Sequence, residues 1–147
     1  MTLLNTSNTL ANTHQILLIN DTKEIERLSN WLSNIAEQLK IPNQFVFRLD
    51  LILVETVMNI IENAYENKET HQIKVELQYI DNKVTLLVED DGIPFNPLEN
   101  PEVEFPDKLE NVKIGGLGIH LIRSYSDECR YERKENKNRL TVVLYCR

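Results

Sequence analysis

Three short stretches of this chain hold residues whose types and spacing could do chemistry. In VETVMNIIENAY, Glu55, Asn59 and Asn63 stand at i, i+4 and i+8. On a helix such residues make a row that drifts by about 40° per step, flanked here by Leu51, Ile52 and Met58. A carboxylate in that row can polarise an attacking hydroxyl, and an amide oxygen suits a hard cation such as magnesium. The bland alternative is a narrow solvent face, because Arg48, Glu62 and Glu66 lie close to the same stripe. In EDDGIPFNP, Asp90 and Asp91 precede Gly92 where a strand should end. A carboxylate there can accept from an exocyclic amine, and a glycine lets backbone approach a flat ring; Asp-Gly is equally a common turn dipeptide. In GGLGIHLIRS, Gly115, Gly116 and Gly118 stand directly ahead of an apolar helical run. Free amides at a helix start make an anion site, although a hinge between loop and helix would use the same glycines. The stretch is neither a P-loop nor a dinucleotide fingerprint. Lys113 beside it could reach a phosphate, but a solvated loop lysine is the simpler reading.

The elements that must position these residues follow from periodicity. His14–Asn20 reads as an opening strand, and Asp21 or Thr22 is expected to cap the helix that follows. Ile25, Leu28, Leu32, Ile35, Ala36 and Leu39 recur at helical spacing up to Lys40. Pro42 suits the first turn of a second helix running to about Asn67, with Phe45, Leu49, Leu53, Val57, Ile60 and Ala64 as its apolar face. Gln72–Ile80 and Lys83–Glu89 flank Asp81-Asn82 as a hairpin. A proline-rich acidic stretch with Pro94, Pro97, Pro101 and Pro106 comes next, and a loop of that length inside a domain is either functional or disordered. A helix over Gly115–Ser126 and two strands, about Asp127–Glu135 and Asn138–Cys146, complete the order. This β-α-α-β-β-loop-α-β-β series lacks the alternation of a doubly wound fold. It predicts an α+β two-layer α/β sandwich, its mixed, mostly antiparallel sheet carrying the helices on one face.

At 147 residues the chain fits one domain, expected over 13–147 after a flexible Thr/Asn/Ser-rich leader at 1–12. A hydrophobic fraction of 41% with 27% charged residues is ordinary for a soluble domain. A net charge of −7 and a pI near 5.0 argue against nucleic acid as a direct partner. No apolar run is long enough for a membrane span. Cys129 and Cys146 fit a reduced, cytoplasmic thiol pair, and the three histidines show no zinc spacing.

Taken together, VETVMNIIENAY, EDDGIPFNP and KIGGLGIHLIRS resemble, in order and spacing, the N, G1 and G2 boxes of the GHKL ATPase/kinase superfamily. Short length and the closeness of Glu55 to Asn59 resemble in particular the anti-sigma factor serine/threonine kinases. The resemblance runs from His14 nearly to the end of the chain and implies ATP and Mg²⁺ as cofactors. It implies Glu55 as general base and Asn59 as magnesium ligand. Asp90 becomes the reader of the adenine amine, with Gly92 as third member of the Asp-x-Gly pattern. Gly116 and Gly118, around Leu117, match the lid glycines near the phosphates. Thr141 is a weaker match to a threonine that assists adenine binding. Asn63 departs from the pattern, since many relatives have histidine there. An amide at that position keeps hydrogen-bonding capacity without titrating near neutral pH.

The function implied is an ATP-dependent serine/threonine protein kinase acting as an anti-sigma factor. It would phosphorylate a STAS-type anti-anti-sigma partner and so control a sigma factor's availability, with a homodimer also in keeping with the resemblance. Three alternatives stand beside it: a non-catalytic nucleotide-binding switch that sequesters a partner, a histidine-kinase-like ATPase module acting in trans, and a structural domain whose motifs coincide by chance.

Overall fold

The computed structural model describes residues 13–99 and 116–147, with backbone alone for residues 99 and 116–119. The expected leader, Lys113 and most of the proline-rich stretch lie outside the described residues. The elements are β1 (Thr13–Ile19), α1 (Glu24–Leu39), α2 (Asn43–Asn63), β2 (Gln72–Ile80), β3 (Lys83–Asp90), a 3₁₀ turn (Pro97–Glu99), α3 (Gly116–Tyr125), β4 (Glu128–Lys134) and β5 (Lys137–Tyr145). The five strands form one sheet in the order β1-β2-β3-β5-β4, and every pairing is antiparallel. The expected mixed sheet is thus wholly antiparallel among the described residues: β2–β3 and β4–β5 are hairpins, β5 returns onto β3, and the two helices after β1 bring β2 back beside it.

Both tight hairpins follow from local chemistry. Asp81-Asn82 and Glu135-Asn136 all have positive φ, the conformation whose twist matches two antiparallel strands joined by two residues. Strand alternation then sends Val84, Leu86 and Val88 inward, against Leu49, Leu53 and Val57 of α2. Leu28, Leu32 and Ile35 of α1 complete that layer. The helices therefore cover one face and the other is open, carrying Lys74, Glu76, Lys137 and Arg139 around Glu89.

Three boundaries differ from the periodic reading. Lys23, with no side-chain cap bond, stands at the start of α1, while the Asp21 carboxylate accepts from the Lys23 amide one turn earlier. Pro42 sits just outside α2 in an extended conformation (ψ 141°). At its other end α2 stops at Asn63 rather than near Asn67. The Ala64 carbonyl, which another turn would have used, accepts instead from the Ile93 amide at 2.8 Å. Tertiary pairing with the loop after β3 ends this helix.

Candidate functional site

The row on α2 resolves into three different environments. Asn59 is buried at 4% exposure, Glu55 one turn before it is half-buried, and Asn63 one turn after it is exposed. The solvent-face alternative therefore fails at Asn59 and holds at Asn63, whose Nδ2 donates to the Asn59 carbonyl at 3.0 Å. The drift of a helical row produces this spread, since each step turns the side chain farther round the axis. Thr56, also buried, joins Asn59 in the wall of a narrow cleft between α2, α3 and the inner face of β3 and β5. Thr56 Oγ1 and Asn59 Nδ2 are both buried and have no hydrogen-bond partner among the described residues. Buried polar groups are nearly always paired, so these two are exceptions in the cleft wall that a polar ligand could satisfy.

Across the cleft stands Asp90, the last residue of β3 and an inward-facing one. It is 4% exposed, and its Oδ1 accepts from the Gly92 amide and from Asn138 Nδ2, both at 2.9 Å. Oδ2 takes part in neither bond and is left for the cleft. Burial pushes the Asp90 carboxyl above the usual aspartate range; the bonds from Asn138 and Gly92 pull it back in part, with smaller opposing contributions from Asp91 and Arg133. A buried carboxylate oxygen with a held partner oxygen is well suited to accept from a neutral exocyclic amine.

Gly92 is required for a reason the sequence did not disclose. A Cβ there would stand 2.4 Å from the Ala64 carbonyl oxygen and 2.5 Å from the Ala64 Cβ. The glycine lets the loop close onto the end of α2, whatever ring later lies against it.

Asn138 is the residue that sequence reasoning missed. Its Nδ2 also donates to the Ile93 carbonyl at 2.8 Å, and its Oδ1 accepts from the Phe95 amide, the Tyr131 hydroxyl and Arg133 Nη1. Arg133 Nη1 reaches the Gly92 carbonyl as well, at 2.8 Å. One buried amide thus fixes Asp90 and the loop after it at once. It stands directly opposite Asp90 in the β3–β5 register, a pairing that no local pattern announces. Thr56 did carry a signal: it is the one hydroxyl in the apolar i, i+4 series Ile52, Thr56, Ile60, Ala64.

Thr141 is not brought to the cleft, which corrects the expectation that it assists there. It pairs with Leu87 and Arg130 and lies on the open face of the sheet with Thr85 and Val143. Strand alternation puts it on the opposite side from Asn138 and Leu140, which line the cleft. Gly116, Leu117 and Gly118 form the first turn of α3, as expected of amide donors. α3 packs on α2, placing Ile122 in the cleft wall, and Arg123 donates to the Leu98 carbonyl beside it. No cluster of three His, Cys, Asp or Glu side chains able to hold a metal occurs among the described residues. An oxygen from Asn59 would therefore have to act with oxygens of the ligand itself.

The family of the histidine kinase-like ATPase domain matches residues 19–144. The serine/threonine-protein kinase BtrW of Bordetella bronchiseptica is 26% identical over 115 residues, 78% of this chain and 81% of that protein. The serine-protein kinase RsbW of Listeria innocua is 27% identical over 67% of this chain and 66% of its own length. The anti-sigma F factor of Clostridium novyi is 26% identical, and the match spans 62% of it. Among solved structures, the RsbU and RsbW domains of a Mycobacterium tuberculosis protein superpose with a TM-score of 0.66 at 14% identity, over 90% of this chain and 32% of that one. A histidine kinase domain from Erythrobacter litoralis gives 0.52 at 16% identity, over 81% of this chain and 61% of that one. At such identities the structures speak for the fold alone.

Proposed function

The chain belongs to the histidine kinase-like ATPase domain family, and within it we propose an ATP-dependent serine/threonine protein kinase acting as an anti-sigma factor. Its substrate would be a serine or threonine of a small STAS-type anti-anti-sigma protein. The observation that carries the nucleotide reading is the cleft itself. A buried carboxylate, held by Asn138 and Gly92, faces two unpartnered polar groups of α2 across an apolar slot. The kinase and anti-sigma readings rest on the similarity to the Bordetella, Listeria and Clostridium relatives. No described helix is long and apolar enough to cross a membrane; the cytoplasmic location in this reading rests on the anti-sigma role.

In this reading Asp90 accepts from the adenine amine, and the wall formed by Ile60, Val88 and Ile122 excludes water from the base. First-turn amides of α3 at Gly116, Leu117 and Gly118 meet the phosphates. Asn59 would hold Mg²⁺ together with oxygens of the triphosphate, and the ion would supply charge neutralisation there. Glu55, half-buried one turn away on the same helix, would orient the incoming hydroxyl and take its proton. Asn63 would act only by its bond to the Asn59 carbonyl.

The deciding experiment incubates the full chain with γ-labelled ATP and a candidate STAS protein from the same cell, then looks for acid-stable phosphoserine or phosphothreonine. Nucleotide binding by calorimetry without any transfer would replace the kinase by a nucleotide-dependent sequestering switch. Phosphate recovered on a histidine of another chain would favour the module acting in trans.

A further inference from the structure

One hydrogen-bonding group in the cleft wall has no part in the roles assigned above. Thr56 is 4% exposed, borders the cleft and has no partner for its hydroxyl among the described residues. A threonine inside a helix ordinarily satisfies its hydroxyl on the carbonyl three or four residues back. Ser126, just past α3, does this, its hydroxyl donating to the Ile122 carbonyl. Thr56 has the Ile52 and Leu53 carbonyls at those separations and makes no such bond. Its companions at i, i+4 spacing, Ile52, Ile60 and Ala64, are apolar, so packing by itself asks for no hydroxyl at this position.

The other polar side chains around the cleft are committed. The Tyr131 hydroxyl donates to Asn138 Oδ1, and Asn138 Nδ2 donates to Asp90 Oδ1 and to the Ile93 carbonyl. β5 turns Leu140 toward the cleft and Thr141 to the open face, so that strand brings no hydroxyl. Among the described lining side chains this leaves Asp90 Oδ2, Asn59 Nδ2 and Thr56 Oγ1. Thr56 precedes Asn59 by three residues, and that spacing makes the two neighbours on the surface of α2. Adenine offers an amine that donates, flanked by two ring nitrogens, N1 and N7, that only accept. In the common anti form of a nucleotide, N7 lies on the side of the 5′-phosphates and N1 on the far side. The helix whose Asn59 meets the phosphate-bound ion therefore meets the N7 edge.

We propose that Thr56 is a second adenine-reading residue: its hydroxyl donates to N7 of the base while Asp90 accepts from the neighbouring amine. The inference rests on the nucleotide reading of the cleft and on the phosphates lying toward Asn59. Two adjacent atoms of the base, one accepting and one donating, are then read from opposite walls. The hydroxyl finds its partner only when the base arrives. An unsatisfied buried group destabilises the free protein, and its pairing strengthens binding. Removing the hydroxyl therefore moves stability and affinity in opposite directions, which a hydroxyl that merely supports the fold would not do.

The test compares the wild type, Thr56→Val and Thr56→Ser in the full chain. Valine keeps the branched shape and removes the hydroxyl; serine keeps the hydroxyl. Calorimetry measures the affinity of each for Mg-ADP and for its 7-deaza and 1-deaza analogues. The wild type should bind 7-deaza-ADP about three- to tenfold more weakly than ADP. The valine variant should bind these two equally, and serine should restore the preference. Loss of N1 should affect the wild type and the valine variant alike. Without nucleotide, Thr56→Val should melt about 2–4 °C above the wild type, because a buried unpaired group is gone. A valine variant that keeps its preference for ADP over 7-deaza-ADP, or that melts below the wild type, would overturn the inference and leave the nucleotide reading standing. So would a preference that valine abolishes for the 1-deaza analogue instead. A folded wild type that binds no ADP would overturn both.

Discussion

In the proposed reading two carboxylates, Glu55 and Asp90, have separate roles, and their surroundings make their variants separable. Glu55 is half-buried and free of the Asp90 network, so Glu55→Gln should leave ADP affinity within about twofold while slowing phosphoryl transfer by about 10²–10⁴. Single-turnover transfer and calorimetry on the same preparation separate these quantities; equal loss in both would merge the two roles. Asp90 has the opposite profile. Its carboxyl is more readily protonated in the fold than in the unfolded chain, because burial disfavours the charge. The folded state therefore binds more protons, and the unliganded protein loses stability as pH rises from the ordinary aspartate value of 3.8 through the raised one. Asp90→Asn can keep both bonds to Oδ1 and removes that charge. It should raise the melting temperature near neutral pH, with the gain vanishing well below pH 3.8. It should also weaken ATP and ADP alike by at least about tenfold, the cost of a lost charge-assisted hydrogen bond. Melting scans against pH, with and without ADP, would show both effects.

At the scale of elements, the contact between the end of α2 and the loop after β3 matters most, because it sets where Asn59 and Asp90 stand relative to each other. Gly92→Ala drives a Cβ into the Ala64 carbonyl and Cβ. It should destabilise the chain by about 1–3 kcal/mol, the usual cost of overpacking, and weaken ADP binding through the displaced loop. Urea unfolding with an unchanged m-value would confirm a native-state effect; unaltered stability would mean that the loop stands farther from α2. The β4–β5 hairpin offers a contrary case. Glu135 has φ 53° there, a left-handed conformation that asparagine tolerates better than glutamate. Glu135→Asn should stabilise by about 0.5–1 kcal/mol without touching nucleotide affinity, since the turn lies beyond the register of Asn138.

For the molecule as a whole, α2, α3 and the inner face of the sheet meet around the cleft, so a ligand there joins both layers. ADP at about a hundred times its dissociation constant should add about 2.7 kcal/mol of stability. An Asp90→Asn chain at the same ADP concentration should show about half of that gain or less, and a thermal shift series against ADP concentration would reveal it. A gain undiminished in the variant would place the nucleotide elsewhere.

How much of this was legible in advance follows from the range of the interactions. Helical periodicity, two-residue turns and a glycine-rich helix start are local signals, and they gave the element order, both hairpins, α3 and the end of β3 to within one residue, at Glu89 where the strand runs to Asp90. The same signals left Asn59 undecided, because a helical stripe does not say what packs against it. Only the folded chain buried Asn59 and exposed Asn63 four residues on. The sequence by itself determined the α+β sandwich and the three motifs of the cleft, since turns and periods of 2 and 3.6 residues are written in neighbouring side chains. The tertiary structure alone decided that Asn138 holds Asp90 across 48 residues, that Thr141 faces away, and that Ala64 ends α2. Each of these is fixed by strand register or by loop packing between distant segments, and neither leaves a local trace.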